Sequence, residues 1–184
     1  MTFAENVVAC LERATPQEYA DGMAWYSVAH DFARSLDSDA WRAAGVIAAL
    51  SAQKEWKLNM RIAARAYETG IVTGNTGVQN DKAQRILDGS FTPDEILAIL
   101  NGDKTTQFCS AIATNGESDI AVIDRHAHDI AMGRVFDNKE RKIGKRLYRT
   151  MAAHYSEAAK ECGISVNQIQ AITWVRWRNE KGLK

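Results

Sequence analysis

Apolar and polar positions alternate with a helical period along almost the whole chain. Two segments open with one signature, Thr15-Pro16-Gln17-Glu18 and Thr92-Pro93-Asp94-Glu95. In each, the threonine suits the cap, the proline the first helical position and the glutamate the reciprocal bond back to the cap. The first helix so predicted runs through Tyr19, Met23, Tyr26 and His30 toward Leu36, where Leu36-Asp37-Ser38-Asp39 ends it and caps the next. Trp41 to Leu50 is apolar almost all round, the pattern of a buried central helix. Leu58, Ile62, Ala66 and Tyr67 keep helical spacing up to a glycine-rich loop, Gly70 to Gln79, expected to be the most flexible stretch. Asn80 to Leu87 and Asp94 to Leu100 read as short helices. After a break near Gly133, a basic amphipathic helix spans about Lys139 to Lys160 and stops at Gly163, and a last helix covers about Val166 to Trp177. Only Ile120 to Ile123 has strand character, and so short a run between helices reads as an extended connector. The predicted fold class is all-α.

One stretch, Ile99 to Ala131, concentrates the candidate chemistry. Asn101-Gly102-Asp103 is turn chemistry, with the glycine suited to a positive φ. Lys104 then stands at the mouth of one helix and Asp124 at the mouth of the next. The positive end of a helix dipole disfavours an ammonium, and a neutral amine is a nucleophile. Read from the residues alone, the same pair also fits a solvated turn lysine and a helix N-cap aspartate.

Charge sharpens this picture. The chain of 184 residues is formally neutral, but Lys139 to Lys184 holds eleven Lys and Arg against four Glu, a net +7, leaving −7 on the rest. The tail is the basic face, suited to phosphates or to solvent. Cys10, Cys109 and Cys162 are scattered and odd in number, which points to a reducing intracellular compartment, no disulfide framework and no cysteine-held metal or iron–sulfur cluster. The uncharged run Ala43 to Gln53 is too short to span a bilayer, and Met1 to Arg13 does not read as a signal peptide. His126, His128 and Asp129 invite a metal reading, but the two histidines fall on different sides of a helix, and no metal site is assigned.

Four blocks in order resemble the helix-hairpin-helix DNA glycosylases of the endonuclease III type. Ile47-Ala48-Ala49-Leu50-Ser51-Ala52-Gln53 resembles the helix end and loop that place a glutamine into the DNA stack. Asn80-Asp81-Lys82-Ala83 with Ile86 resembles the start of the following helix, and Leu100-Asn101-Gly102-Asp103-Lys104-Thr105 the hairpin ending in the catalytic Lys-Thr. Ala121-Val122-Ile123-Asp124-Arg125-His126 resembles the segment carrying the catalytic aspartate, and Asn167 to Arg178 is a looser echo. The hairpin is shorter than the family's, and the cluster cysteines are absent.

The resemblance implies a glycosylase-like unit over 1–184, with a six-helix barrel and hairpin at 41–123 and a discontinuous helical subdomain from 1–40 and 124–184. It implies an enzyme of DNA repair, cytoplasmic and monomeric, that flips a nucleotide from duplex DNA and cleaves the base–sugar bond without a cofactor, with lyase activity through Lys104. Lys104 and Asp124 would be catalytic, while Gln53 as wedge, Trp56 as stacking platform, Asn101, Gly102, Thr105, Arg125, His126, Lys145 and Arg146 would contact DNA. Two alternatives stay open, a base-modifying enzyme on the same scaffold and a non-catalytic DNA-binding module. Trp174 and Trp177 read as core, with Arg176 and Arg178 facing phosphate.

Overall fold

The computed structural model describes residues 1–182. The chain is all-α, with ten helices and no strand among the described residues. They are α1 (Phe3–Glu12), α2 (Pro16–Leu36), α3 (Ala40–Leu50), α4 (Trp56–Thr69), α5 (Gly77–Asp88), α6 (Pro93–Leu100), α7 (Asp103–Ala113), α8 (Arg125–Met132), α9 (Lys145–Cys162) and α10 (Val166–Lys181). No helix among the described residues is long and apolar enough to cross a membrane. The chain divides into two compact units, one of Met1–Tyr26 with Gly116–Lys184 and one of Ser27–Asn115. The final two residues of the first unit lie outside the described ones. The unit boundaries fall at 26/27, inside α2, and at 115/116.

In the unit of Ser27–Asn115, α3 is the central helix, buried from Ala43 to Leu50 and packed by α4, α5, α6 and α7. Its small residues let the neighbours close in. A Cβ at Gly45 would lie 2.7 Å from Ile96 Cγ2, so only glycine accepts that approach. Ile47, Leu50, Ile86, Ile96, Leu100 and Ile112 fill the space around it, with Cys109 fully buried among them. The loop before α5 is stitched down. Val72 N–H donates to Gln84 Oε1 (2.7 Å), and Asn75 Nδ2 donates to the Leu50 carbonyl (2.8 Å).

The other unit packs α1, α8, α9 and α10 around Val7, Cys10, Ile130, Met151, Tyr155 and Ile169. Two buried tyrosines wire the extended connector and α8 into this core. Tyr148 Oη donates to the Ala121 carbonyl and accepts from Ile123 N–H, both at 3.2 Å, and Tyr155 Oη donates to the Ala127 carbonyl (3.1 Å). The first half of α2 meets α10 at Gly22, where an added Cβ would lie 2.4 Å from Ile172 Cα.

Four elements differ from the sequence reading, and the first is α5, which starts at Gly77, inside the stretch expected to be loop. That reading assigned no helix to the N-terminus, yet Phe3, Val7, Val8 and Leu11 keep helical spacing, and Thr2 and Glu5 form a full capping box that starts α1. The basic helix begins at Lys145 rather than Lys139, because Asp137 accepts the Lys139 and Glu140 amides and closes a separate turn. The last helix runs on to Lys181, ending in a left-handed glycine cap at Gly182.

Because backbone rather than a flexible side chain faces Gly22, Gly22→Ala is expected to destabilise the fold by at least about 1–3 kcal/mol, the usual cost of overpacking. Urea unfolding of the variant beside the parent measures it.

Candidate functional site

Lys104 is the second residue of α7, and the two-residue turn before it is built differently from the expectation. Asn101, not Gly102, takes the left-handed conformation (φ 48°), closing α6 with its amide on the Leu97 carbonyl. Gly102 is extended (φ −155°) and serves as the α7 N-cap. Asparagine tolerates the left-handed region, so this turn asks no positive φ of the glycine. A Cβ on Gly102 would come to 3.0 Å from Thr105 Oγ1. The hydroxyls of Thr105 and Thr106 both donate back to the Gly102 carbonyl at 3.0 Å. No side chain caps α7, so its first amides stay open beside Lys104. Lys104 is half-buried and has no hydrogen bond or ion pair among the described residues. The C-terminal end of α6 is held from the side by Lys82, whose Nζ donates to the Leu100 carbonyl (2.6 Å).

In the same unit Gln53 is exposed at the turn after α3, in the left-handed region with φ 58°. A non-glycine residue there stores about 1 kcal/mol or more of strain. Asn75 and Asn59 donate to the carbonyls of Leu50 and Ile47 and fix the helix end that presents it. Trp56, the first residue of α4, stands edge-on to Phe32 (6.2 Å) and to Phe108 (6.3 Å). It is an anchor for that helix start, only half-buried, with its ring edges already engaged.

Asp124 lies in the other unit and caps α8. Its Oδ1 accepts from the amides of His126 (2.9 Å) and Ala127 (2.8 Å), and its Oδ2 accepts from Trp174 Nε1 (3.2 Å). Arg178 stacks on the Trp174 ring, its guanidinium carbon 4.2 Å from the centroid. His126 is buried, edge-on to Trp174 at 6.2 Å, and its Nε2 accepts from Arg125 Nε (3.2 Å). Burial pushes the imidazole below its ordinary value; Arg125 and Arg178 push the same way, against the Asp124 carboxylate. The charged side chain that reaches solvent here is Arg125.

One turn further along α8, Asp129 is a buried hub. Arg141 grips it with a fork, Nε to Oδ1 at 3.0 Å and Nη2 to Oδ2 at 2.7 Å, while His128 Nδ1 lies 2.9 Å from Oδ1. Phe136 N–H donates to Oδ2 (3.3 Å), so the carboxylate ties the segment after Gly133 onto α8. Burial pushes the Asp129 carboxyl up; the Arg141 fork, His128 and the Phe136 amide together overcome this and hold it below the ordinary carboxylate value. Lys145 and Arg146 are exposed at the start of α9, whose N-terminus also lacks a side-chain cap.

The sequence model of one family matches residues 1–181. The chain belongs to DUF7178, a family of unknown function. No curated protein and no solved structure matches the chain.

Within this DUF7178 chain Trp177 is buried as the sequence reading has it, but Trp174 is only half-buried and bonds Asp124, Arg178 lies on its ring, and the Asp129–Arg141 fork was not foreseen. The spacing of Trp174 and Arg178, one helical turn apart, was the available signal for their stacking. Nothing local connects Asp129 to Arg141, because the loop between them has no period. Among the described residues, no group of three or more His, Cys, Asp or Glu side chains is placed to hold a metal ion.

Removing Arg141 strands a buried carboxylate, so Arg141→Met is expected to cost about 3–5 kcal/mol in chemical unfolding at neutral pH. The folded Asp129 carboxyl lies below its unfolded value, so the stability it contributes is full above about pH 4 and is lost as pH falls through the folded value. The gap between parent and variant should therefore narrow below about pH 4.

His126 gives a second, separate pH dependence. Its folded value lies below the unfolded 6.5, so the folded state loses stability as pH falls from 6.5 through the folded value. His126→Gln should flatten the melting temperature across that window, and the imidazole of the parent should titrate below 6.5 by NMR.

Proposed function

We propose that this DUF7178 protein is a helix-hairpin-helix glycosylase-like enzyme that acts on a nucleotide flipped from duplex DNA, with the hairpin α6–α7 and the α8 cap in the family's roles. The observation that carries the reading is Lys104: an amine with no partner among the described residues, at an uncapped helix N-terminus just after a two-residue turn. Amides left open at a helix start favour a phosphate close by. The amine attacks the anomeric carbon of the flipped nucleotide. As the new C–N bond forms, the glycosidic bond breaks and the base leaves with the bonding pair, to be protonated; opening of the sugar then gives a Schiff base to Lys104.

Asp124 supports the scheme in one of two roles. A carboxylate held in place by three hydrogen bonds is suited to stabilising positive charge that builds on the sugar. The proposed architecture is a helical barrel around α3 that carries the hairpin, with the helices of the two termini as the second subdomain.

On a susceptible duplex, borohydride should trap a covalent protein–DNA adduct. Lys104→Gln should abolish the adduct while fold and DNA affinity persist. Asp124→Asn should slow the reaction and cost on the order of 1 kcal/mol through the weakened cap, so melting is measured beside activity. Base release without an adduct assigns the chemistry to an activated water with Asp124 as the main player. A base that gains mass assigns the scaffold to modification, and binding with no reaction on any duplex leaves a DNA-binding module.

A further inference from the structure

Helix α4 carries Lys57, Arg61 and Arg65 at successive four-residue steps, all exposed, with half-buried Lys54 just before the helix. The opposite face of α4, Asn59, Ala63 and Ala66, is the one buried in the unit's core. The three cations therefore form one outward row of about 12 Å, in steps of about 6 Å. None of the four has a hydrogen bond from its charged group or an ion pair among the described residues.

The other cations of Ser27–Asn115, Lys104 excepted, are used. Arg34 donates to the Ser38 carbonyl, Arg42 pairs with Asp37 at 2.5 Å, Lys82 donates to the Leu100 carbonyl at 2.6 Å, and Arg85 lies over the Phe91 ring. Like charges one turn apart destabilise a helix, and solvated helix faces usually interleave them with carboxylates, as α5 does with Asp81, Lys82, Arg85 and Asp88, whereas on α4 the carboxylate in line with the row is exposed Glu68, beyond its last cation and in no ion pair with it among the described residues. Helix α4 has no acidic residue in its first turn and no side-chain cap, so Lys57 also sits against the positive end of the dipole. These unfavourable terms all reverse sign when a polyanion lies along the row.

We infer that the outward face of α4 is a track for the phosphate backbone of a nucleic acid, continuous with the exposed turn at Gln53. A single small anion cannot span a row of this length. A bilayer is disfavoured because the apolar face of α4 is spent on the core, leaving half-exposed Leu58 as the apolar side chain beside the row. The choice of duplex DNA among nucleic acids rests on the glycosylase-like reading.

The test is fluorescence anisotropy of a labelled duplex with the full chain over a salt series, comparing the parent with a triple variant, Lys57→Gln, Arg61→Gln and Arg65→Gln. Glutamine is a good helix former, so melting should hold or rise. Each phosphate contact contributes about 0.9 to the slope of log affinity against log salt, so losing three should flatten it by roughly 2–3 and weaken binding about tenfold or more at low salt. Arg61→Lys with Arg65→Lys should retain binding. Unchanged affinity and slope in the triple variant overturn the track, whether or not the parent releases a base. Loss of binding in the triple variant, with no reaction by the parent on any duplex, upholds the track and removes the glycosylase reading. A parent that binds vesicles rich in phosphatidylserine, or an acidic protein, but no duplex or single strand at low salt overturns it.

Discussion

Short helices in water stand or fall by what happens to their first amides. Each N-terminus leaves several N–H groups without an intrahelical partner, and in this chain most are answered locally. Thr2, Asp39, Thr92, Asp124 and Ser165 each turn a side-chain oxygen onto the following turn, and Thr15 does the same for α2. The exceptions are α4, α5, α7 and α9, where no side chain closes the end. Three of these four bring cations to the opening, Lys57, Lys104, and Lys145 with Arg146. An open helix start beside a cation is costly in isolation and becomes favourable with an anion in place. The proposed contacts with DNA thus share one electrostatic logic, although they lie on different elements and in both units.

The helical architecture was legible because its signals are local. The Thr-Pro-x-Glu starts, the all-apolar run of α3 and the glycine stops at Gly133 and Gly163 act within a few residues of where they are read. The site was legible only in its positions. Sequence spacing placed Lys104 and Asp124 at helix mouths, and both are there. What each touches was out of reach, because the partner of Asp124 Oδ2 is Trp174, fifty residues away. The left-handed residue of the hairpin was assigned by glycine's reputation, whereas the α6 cap needs it one residue earlier, at Asn101. The basic row of α4 has a plain sequence signal at i, i+4 and i+8. It was masked by the acidic balance of the segment around it, a reminder that net charge averages over faces a partner meets separately.

Asp124 combines two demands. As a cap it must stay still, and in the proposed catalytic role it must face a substrate. The Trp174 indole resolves part of this conflict by holding the oxygen that the α8 amides leave free. Arg178 in turn braces the indole from its face. The carboxylate is preorganised by groups that carry out no chemistry, and preorganised charge needs no rearrangement when charge develops opposite it.

The two buried cysteines have a practical consequence. Cys10 sits in the core of one unit and Cys109 in the core of the other, and burial pushes their thiols up to about 11 and about 12. Native thiols of this kind barely form the thiolate that alkylating reagents need, whereas an opened chain offers an ordinary one. Each cysteine is therefore a built-in clock for the opening of its own unit. Pulsed alkylation read by mass spectrometry can follow the two units independently, in the unaltered protein and without any added label, and can tell whether they open together.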